Sequence, residues 1–255
     1  MGKTTGEAPQ PASDSGREPP ILRLENIRKT YTNGVDEEVL FGIDLELNTG
    51  DFAVLVGKSG SGKTTLLNII GLLDTPTSGH LFLNGREASS LDEDERARLR
   101  REYIGFIFQS HHLLPDFNVI ENVLMPCRIR GRAYEEAARD RAAEMLEVVG
   151  LADKVRAPVN TLSGGQKQRV ATVRAFSNDP TLVLADEPTG SLDSKTSQSV
   201  MQLMREINRE TGTAFLMVTH DPELTDYADR VIELRDGRIA ADTTAGKQDA
   251  DESTT

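Results

Sequence analysis

Thiols are nearly missing from this chain. Cys127 is the one cysteine in 255 residues, so no intramolecular disulfide can form and no thiolate-rich metal site is available. That usage fits a reducing compartment. Four scattered histidines do not suggest a zinc cluster. Long apolar runs are missing too: stretches such as Phe52 to Val56 are only a strand long, whereas a bilayer-spanning helix takes about 20 apolar residues. No segment is therefore expected to cross a membrane alone. The first 20 residues hold four Pro and three Gly with no apolar h-region, so they do not form a secretory signal, and a cytoplasmic location is expected. A basic surplus is lacking as well. With 29 Lys plus Arg against 41 Asp plus Glu, and a net charge of -12, nucleic acid is not an expected partner. The same balance argues against a polybasic grip on anionic lipid.

What remains is an ordinary soluble composition, 37% hydrophobic and 27% charged, with enough chain for a sizeable core. Residues 1–20 have almost nothing to bury and read as a disordered leader. Residues 241–255 read as an acidic, polar, disordered tail. The patterned sequence between them, 21–240, contains no evident linker or repeat and reads as one domain.

Four apolar runs of strand length each end at a polar residue or glycine: Phe52 to Val56 at Gly57, Ile104 to Phe108 at Gln109, Leu182 to Ala185 at Asp186 and Glu187, and Ala214 to Thr219 at His220. Continuous apolar runs suit strands buried on both faces of a parallel sheet. Helical patterns over 62–72, 134–150, 163–177 and 194–211 lie between them, which predicts an α/β architecture with crossover helices. In open parallel sheets ligands bind beyond the carboxyl ends of the strands, so the four polar endpoints should share one edge. Ile21 to Glu25, Ile43 to Leu47 and Leu81 to Leu83 alternate instead, as in an antiparallel sheet with one solvated face. The segment at about 115–165 is helix-rich and reads as an inserted helical subdomain.

Gly57, Lys58, Ser59, Gly60, Ser61, Gly62, Lys63 and Thr64 match G-x-x-x-x-G-K-[ST] between a strand and a helix, the context a phosphate-binding loop requires. The glycines let backbone N–H groups converge on phosphate, and the helix that follows adds its positive dipole end. Lys63 is the residue to reach the β- and γ-phosphates, and the Thr64 hydroxyl is the one to hold Mg²⁺. Thr65 is placed for the α-phosphate. Asp186 closes its strand as a metal-orienting carboxylate does, and the adjacent Glu187 is the candidate general base. Ser163, Gly164, Gly165 and Gln166 open a further helix, with Ser163 as N-cap and free N–H groups at the glycines. One chain thus carries a complete nucleotide cradle and half of another. ATP sandwiched between two copies is the economical explanation.

Over residues 21–240 the sequence resembles the ATP-binding cassette (ABC) ATPases. The resemblance rests on GKSGSGKT at 57–64, Gln109, LSGGQ at 162–166, LVLADE at 182–187, Ser191-Leu192-Asp193 and His220, in that order. It implies a P-loop NTPase: a RecA-like core with a mostly parallel sheet, an N-terminal antiparallel β subdomain and an inserted α-helical subdomain. It further implies that Gln109 touches Mg²⁺ and water, that Ser163 and Gly165 face the γ-phosphate of the other copy, that Asp193 crosses the dimer interface, and that His220 steadies the γ-phosphate with Glu187. Tyr31 matches the aromatic that stacks on adenine.

The segments 71–79, 104–109 and 185–190 look like the branch containing lipoprotein-releasing, macrolide-exporting and cell-division ATPases. Its members work as dimers beneath an integral membrane permease subunit, peripheral on the inner face of the cell membrane, and transmit ATP-driven closure. Two departures stand out: Lys58 where a small or polar residue is usual, and His111-His112 where Phe-Asn is common. An ATPase that gates cell-wall enzymes without moving cargo is the alternative reading. A soluble member acting on ribosomes or DNA is a further one, although the 97 residues between Thr64 and Leu162 leave no room for a long coiled coil.

Overall fold

The computed structural model describes residues 19–244 apart from Asn33 and Ser191. Most of the leader and residues 245–255 of the tail lie outside that range. In chain order come β1 (Leu22–Thr32), β2 (Asp36–Leu47), β3 (Phe52–Val56), α1 (Lys63–Ile70), β4 (Ser78–Leu83), β5 (Arg86–Glu87), α2 (Glu93–Tyr103) and β6 (Ile104–Phe108). They are followed by α3 (Val119–Arg130), α4 (Arg132–Val148), α5 (Gly164–Ala175), β7 (Leu182–Asp186), α6 (Ser194–Thr211), β8 (Ala214–Val218), β9 (Arg230–Arg235) and β10 (Arg238–Thr244).

The alternating segments form a four-stranded antiparallel sheet in the order β2-β1-β4-β5. Leu22 and Leu24 of β1 face Leu47 and Leu45 of β2 and Leu83 and Leu81 of β4, all buried. The continuous apolar runs form the centre of a six-stranded sheet, β10-β9-β3-β8-β7-β6, in which every neighbouring pair is parallel except β9 with β10. These strands separate two cores. Ala53, Leu55, Leu184 and Leu216 pack with α1 and the antiparallel sheet, while Phe52, Val54, Val183 and Phe215 pack with α3 to α6. A period-2 strand with apolar residues on both faces can serve two layers at once, and the composition of β3 reflects that. Register then aligns the strand ends: Phe108 pairs with Asp186, Asp186 with Val218, and Leu55 with Val218.

One element departs from expectation, and another was not anticipated at all. Residues 241–244, assigned to the disordered tail, are the end of β10, because Arg230 of β9 grips Asp242 through Nε and Nη2 at 2.7 and 2.6 Å. The charged run 93–103 carries no apolar stripe, yet it is helix α2. Asp92 caps it by accepting from the Glu95 N–H at 2.9 Å, acids fill the first turn and Arg100 and Arg101 the last, which suits the helix dipole.

The helical subdomain is held at its entrance by Asn122, which is fully buried. Its Oδ1 accepts from the Leu114 N–H at 2.7 Å, and its Nδ2 donates toward the carbonyls of Leu114, Phe117 and Asn118 at 2.9 to 3.1 Å. Removing this amide strands buried backbone groups, so Asn122→Ala should cost about 2–3 kcal/mol of stability. Chemical denaturation of the purified protein measures it, and a loss below about 0.5 kcal/mol would show that the loop does not depend on this side chain.

Candidate functional site

The loop between β3 and α1 is shaped by what its glycines lack. A Cβ on Gly57 would lie 2.3 Å from the Leu234 carbonyl oxygen, and one on Gly62, at φ 101°, would lie 2.9 Å from Leu40 Cδ2. Strands β9 and β2 thus press on the loop from two sides, and only glycine fits there. Ser61 N–H donates to the Lys58 carbonyl at 3.2 Å and Gly237 N–H to the Ser61 carbonyl at 3.1 Å. The Lys63 ammonium folds back onto the carbonyls of Gly57 and Lys58, at 2.8 Å each. The Ser61 hydroxyl is buried without a protein partner, and no side chain caps α1 and no acid occupies its first turn. A helix start with bare N–H groups, a cation and no competing carboxylate is an anion site.

That loop opens on a cleft of about 490 Å³ lined by Gly57, Ser59, Gly60, Gly62, Lys63, Thr64 and Thr65, and by Asp186, Glu187 and His220 from the ends of β7 and β8. The expected sharing of one edge by the strand endpoints is what the register produces. Glu37 and Val39 of β2 also line the cleft and were not foreseen, because they reach it only through the fold and nothing in their own segment marks them. Lys58 points into solvent, and Ser61 is turned beneath the loop.

Asp186 is half-buried, and burial raises its carboxyl above the ordinary carboxylate value; the charge of Glu187 adds to this and Lys63 opposes it. A divalent cation would relieve that cost. The Thr64 hydroxyl, the Asp186 carboxylate and the Gln109 amide supply hard oxygen donors of the kind Mg²⁺ prefers, so the residues fit the metal by chemistry. Among the described residues no cluster of three His, Cys, Asp or Glu forms a metal site made by protein side chains alone. A site that keeps most ligands for water and phosphate needs none.

Glu187 adopts φ 45°, a left-handed conformation that costs a non-glycine residue about 1–2 kcal/mol. Its N–H donates to the Val218 carbonyl at 3.0 Å, and its carbonyl accepts from the Gly190 N–H at 3.1 Å. The turn aims its side chain across the cleft to His220, whose Nδ1 lies 2.8 Å from Oε1. The other oxygen, Oε2, lies near Gly190, where a Cβ would be 3.3 Å from it and 2.8 Å from Gln109 Nε2. Gln109, Glu187 and His220 therefore converge, and Gly190 leaves room for them.

Ser163, Gly165, Gln166 and Asp193 are not among the residues lining that cleft. Ser163 caps α5 in a reciprocal box: the Gln166 N–H donates to its hydroxyl at 3.3 Å, and the Gln166 side chain accepts from the Ser163 N–H at 2.9 Å. Asp193 caps α6, accepting from the N–H and hydroxyl of Thr196 at 3.0 and 2.7 Å, and these bonds lower its carboxyl pKa. A Cβ on Gly165 would lie 2.4 Å from Thr196 Cγ2, so its glycine permits α5 and α6 to meet. Ser191 lies outside the described residues. Tyr31 is also off the cleft lining; its hydroxyl donates to Asp74 Oδ2 at 3.0 Å. The two histidines after Gln109 part company. His111 turns inward to the buried Gln168 side chain, and His112 packs edge-on against Phe108 at 5.0 Å.

Sheet order, glycine loop and inserted helical subdomain together define a nucleotide-binding P-loop cassette. The family model described as ABC transporter matches residues 40–190. The lipoprotein-releasing system ATP-binding protein LolD 1 of Rhodopseudomonas palustris is 51% identical over 223 residues, covering 86% of this chain and 98% of that protein. The macrolide export ATP-binding/permease protein MacB of Syntrophobacter fumaroxidans is 46% identical over 88% of this chain, which spans 32% of that longer protein. Among solved structures, the dimeric post-hydrolysis state of the ATP-binding cassette MJ0796 bound to ADP and Pi superimposes with a TM-score of 0.77 at 37% identity, covering 88% of this chain and 98% of that one. The chain belongs to the ABC transporter family, as an ATP-binding subunit.

Because the Leu234 carbonyl fills the space beside Gly57, Gly57→Ala must shift the loop. Nucleotide affinity should fall at least about tenfold while the circular dichroism spectrum stays unchanged. Titration calorimetry tests this, and parental affinity would mean that the loop tolerates a side chain at its tightest point.

Proposed function

We propose that this chain hydrolyses ATP and that paired copies, closing on two nucleotides, drive a separate integral membrane subunit in lipoprotein release or export. The observation that carries the reading is the convergence of Lys63, Thr64, Asp186, Glu187 and His220 on one cleft. In this reading the loop N–H groups and the start of α1 bind the phosphates, and Lys63 exchanges the carbonyls of Gly57 and Lys58 for phosphate oxygens. Tyr31 stacks on the adenine. Thr64, Asp186 and Gln109 would hold Mg²⁺, which when bound neutralises charge on the phosphates. His220 tethers one oxygen of Glu187 and leaves Oε2, on the Gln109 side, to take a proton from water. Orientation by His220 and Gln109 is the chain's contribution to placing that water.

A second copy is called for because the cleft lacks the capped start of α5 on its own chain. The N-terminus of α5 of the partner, with Ser163 and Gly165, would close over the phosphates, and Asp193 would lie at the same interface. Closure is then a population shift toward the state in which both ends of the nucleotide site are engaged. That the similar cassette bound to ADP and Pi is dimeric supports the pairing of copies.

The membrane subunit would meet an open groove of about 400 Å³ beside the loop that carries Gln109. Its floor is apolar, with Phe106, Phe108 and Met125, and its rim leaves Leu73, Leu114 and Ile129 at 50%, 40% and 60% exposure. Exposed apolar patches next to the loop that carries Gln109 suit a docked partner. No described helix is long and apolar enough to cross a membrane, so attachment to the inner face would run through that subunit. The near full-length likeness to lipoprotein-releasing ATP-binding proteins, at 51% and 50% identity, favours lipoprotein release.

Glu187→Gln should lower turnover at least about 100-fold and leave an ATP-bound dimer stable in size-exclusion chromatography; near-parental turnover would remove Glu187 as the base. Separately, Ile129→Glu should abolish recovery of the integral subunit when the complex is purified from solubilised membranes, with the secondary structure intact. Identification of that subunit in the parental preparation also separates a lipoprotein-releasing partner from one that gates a cell-wall enzyme.

A further inference from the structure

Lys29, Tyr31 and Asp74 form a cluster that the phosphate chemistry does not use. Lys29 is a charged residue with 8% exposure, and its ammonium donates to Asp74 Oδ1 at 2.6 Å and to the Thr75 carbonyl at 2.8 Å. The same ammonium lies 4.7 Å from the centroid of the Tyr31 ring. Asp74 Oδ1 also accepts from the Thr75 N–H at 2.7 Å, and Oδ2 accepts from the Tyr31 hydroxyl at 3.0 Å. Both carboxylate oxygens are thus committed, one to the cation and the chain, the other to the ring.

Asp74 stands four residues beyond the end of α1, the helix whose start is the phosphate loop. Its exit is rigid: the N–H groups of Leu73 and Asp74 both donate to the Asn68 carbonyl, at 2.9 and 3.2 Å. Segment 74–77 is also pinned to β1, with Thr77 N–H donating to the Arg28 carbonyl at 2.8 Å and Thr30 N–H to the Thr77 hydroxyl at 2.9 Å. A tyrosine ring has two side-chain torsions. Tethering its hydroxyl at the far end fixes both, and Lys29 covers one face. The ring remains part-exposed, so a flat base would meet the opposite face.

We infer that Asp74 is a positioning residue for base recognition: it sets the Tyr31 ring at a fixed place relative to the phosphate loop, through α1, so that a purine nucleotide is measured from both ends. The inference rests on the reading of Tyr31 as the adenine platform. Substrate affinity should depend on the tether, and the chemical step should not.

Tyr31→Phe keeps the ring and the Lys29–Asp74 pair but removes the tether, so it avoids leaving a buried cation alone. Asp74→Asn tests the carboxylate itself. Both should raise KM for ATP about three- to tenfold with kcat within about twofold, the size expected for the loss of one ordinary hydrogen bond. Inorganic tripolyphosphate, used as a competitive inhibitor with magnesium present, should inhibit the parent and both variants equally, because it has no base. If Tyr31→Phe leaves KM unchanged while Tyr31→Ala raises it, the ring acts without the tether and the inference falls. If Tyr31→Ala leaves KM unchanged, the adenine platform is misassigned and the inference falls with it. If Asp74→Asn weakens tripolyphosphate as much as ATP, Asp74 holds the loop rather than the base platform, which also overturns it.

Discussion

Everything in the site depends on one strand being buried on both faces and stopping at a residue without a side chain. Phe52 and Val54 of β3 lie in the core beneath α3 to α6, and Ala53 and Leu55 lie in the core shared with α1 and the antiparallel sheet. Neither layer can slide without exposing the other face, because a one-residue slip of β3 would exchange the two sets. The strand ends at Gly57, into whose empty side-chain position the Leu234 carbonyl and the Ser61 hydroxyl intrude, at 2.3 and 2.7 Å from where a Cβ would be. The phosphate loop is therefore clamped by β9 behind it and continues directly into α1. Parallel register transmits that fixed point along the sheet, from Leu55 to Val218 and from Val218 to Asp186. The cleft inherits its geometry from the core.

Much of this was legible because the physics was local. A strand, a glycine loop and a helix are contiguous, and apolar runs that end in polar residues announce a shared edge before any contact is known. What escaped was mostly nonlocal. The Tyr31 hydroxyl meets a carboxylate 43 residues away, and nothing in either segment advertises it. Arg230 and Asp242, 12 residues apart, convert an apparently acidic tail into the end of β10. Helix α2 was a different kind of miss. Its amphipathic pattern is poor because Leu99 is its one buried residue, but its capping aspartate, leading acids and trailing arginines were readable by electrostatics alone.

Several residues singled out for nucleotide chemistry already have structural employment. Gln166 and Ser163 satisfy each other's backbone groups at the start of α5, and Asp193 does the same for α6. The two roles are compatible. A helix whose first turn is ordered by its own cap presents the remaining N–H groups in fixed directions, which is what a rigid half-site needs. Glu187 shows the opposite arrangement: its left-handed backbone is a cost, held in place by bonds to Val218 and Gly190 on either side. Strain of that kind persists only where the surroundings over-determine it, and here they also decide which carboxylate oxygen His220 can reach.

The segment from Phe108 to His112 joins the two surfaces that the proposed function requires. Gln109 reaches toward Glu187 over Gly190, while Phe108 and His112 wall the apolar groove. Helix α5 grips the same segment: Gln168 bonds to the His111 ring, and Arg174 donates to the carbonyls of His111 and His112 at 2.8 and 2.7 Å. Arg174 is largely desolvated, and burial lowers its pKa. Releasing these carbonyls would cost a part-buried guanidinium both of its acceptors, which favours movement of the segment together with α5. A displacement of Gln109 would then be felt in the groove and along α5, through Gln168 and Arg174. One five-residue segment thus carries Gln109 beside Glu187, Phe108 and His112 in the groove wall, and the carbonyls that Arg174 holds, so in the proposed function a partner seated in the groove would act on nucleotide chemistry through this segment.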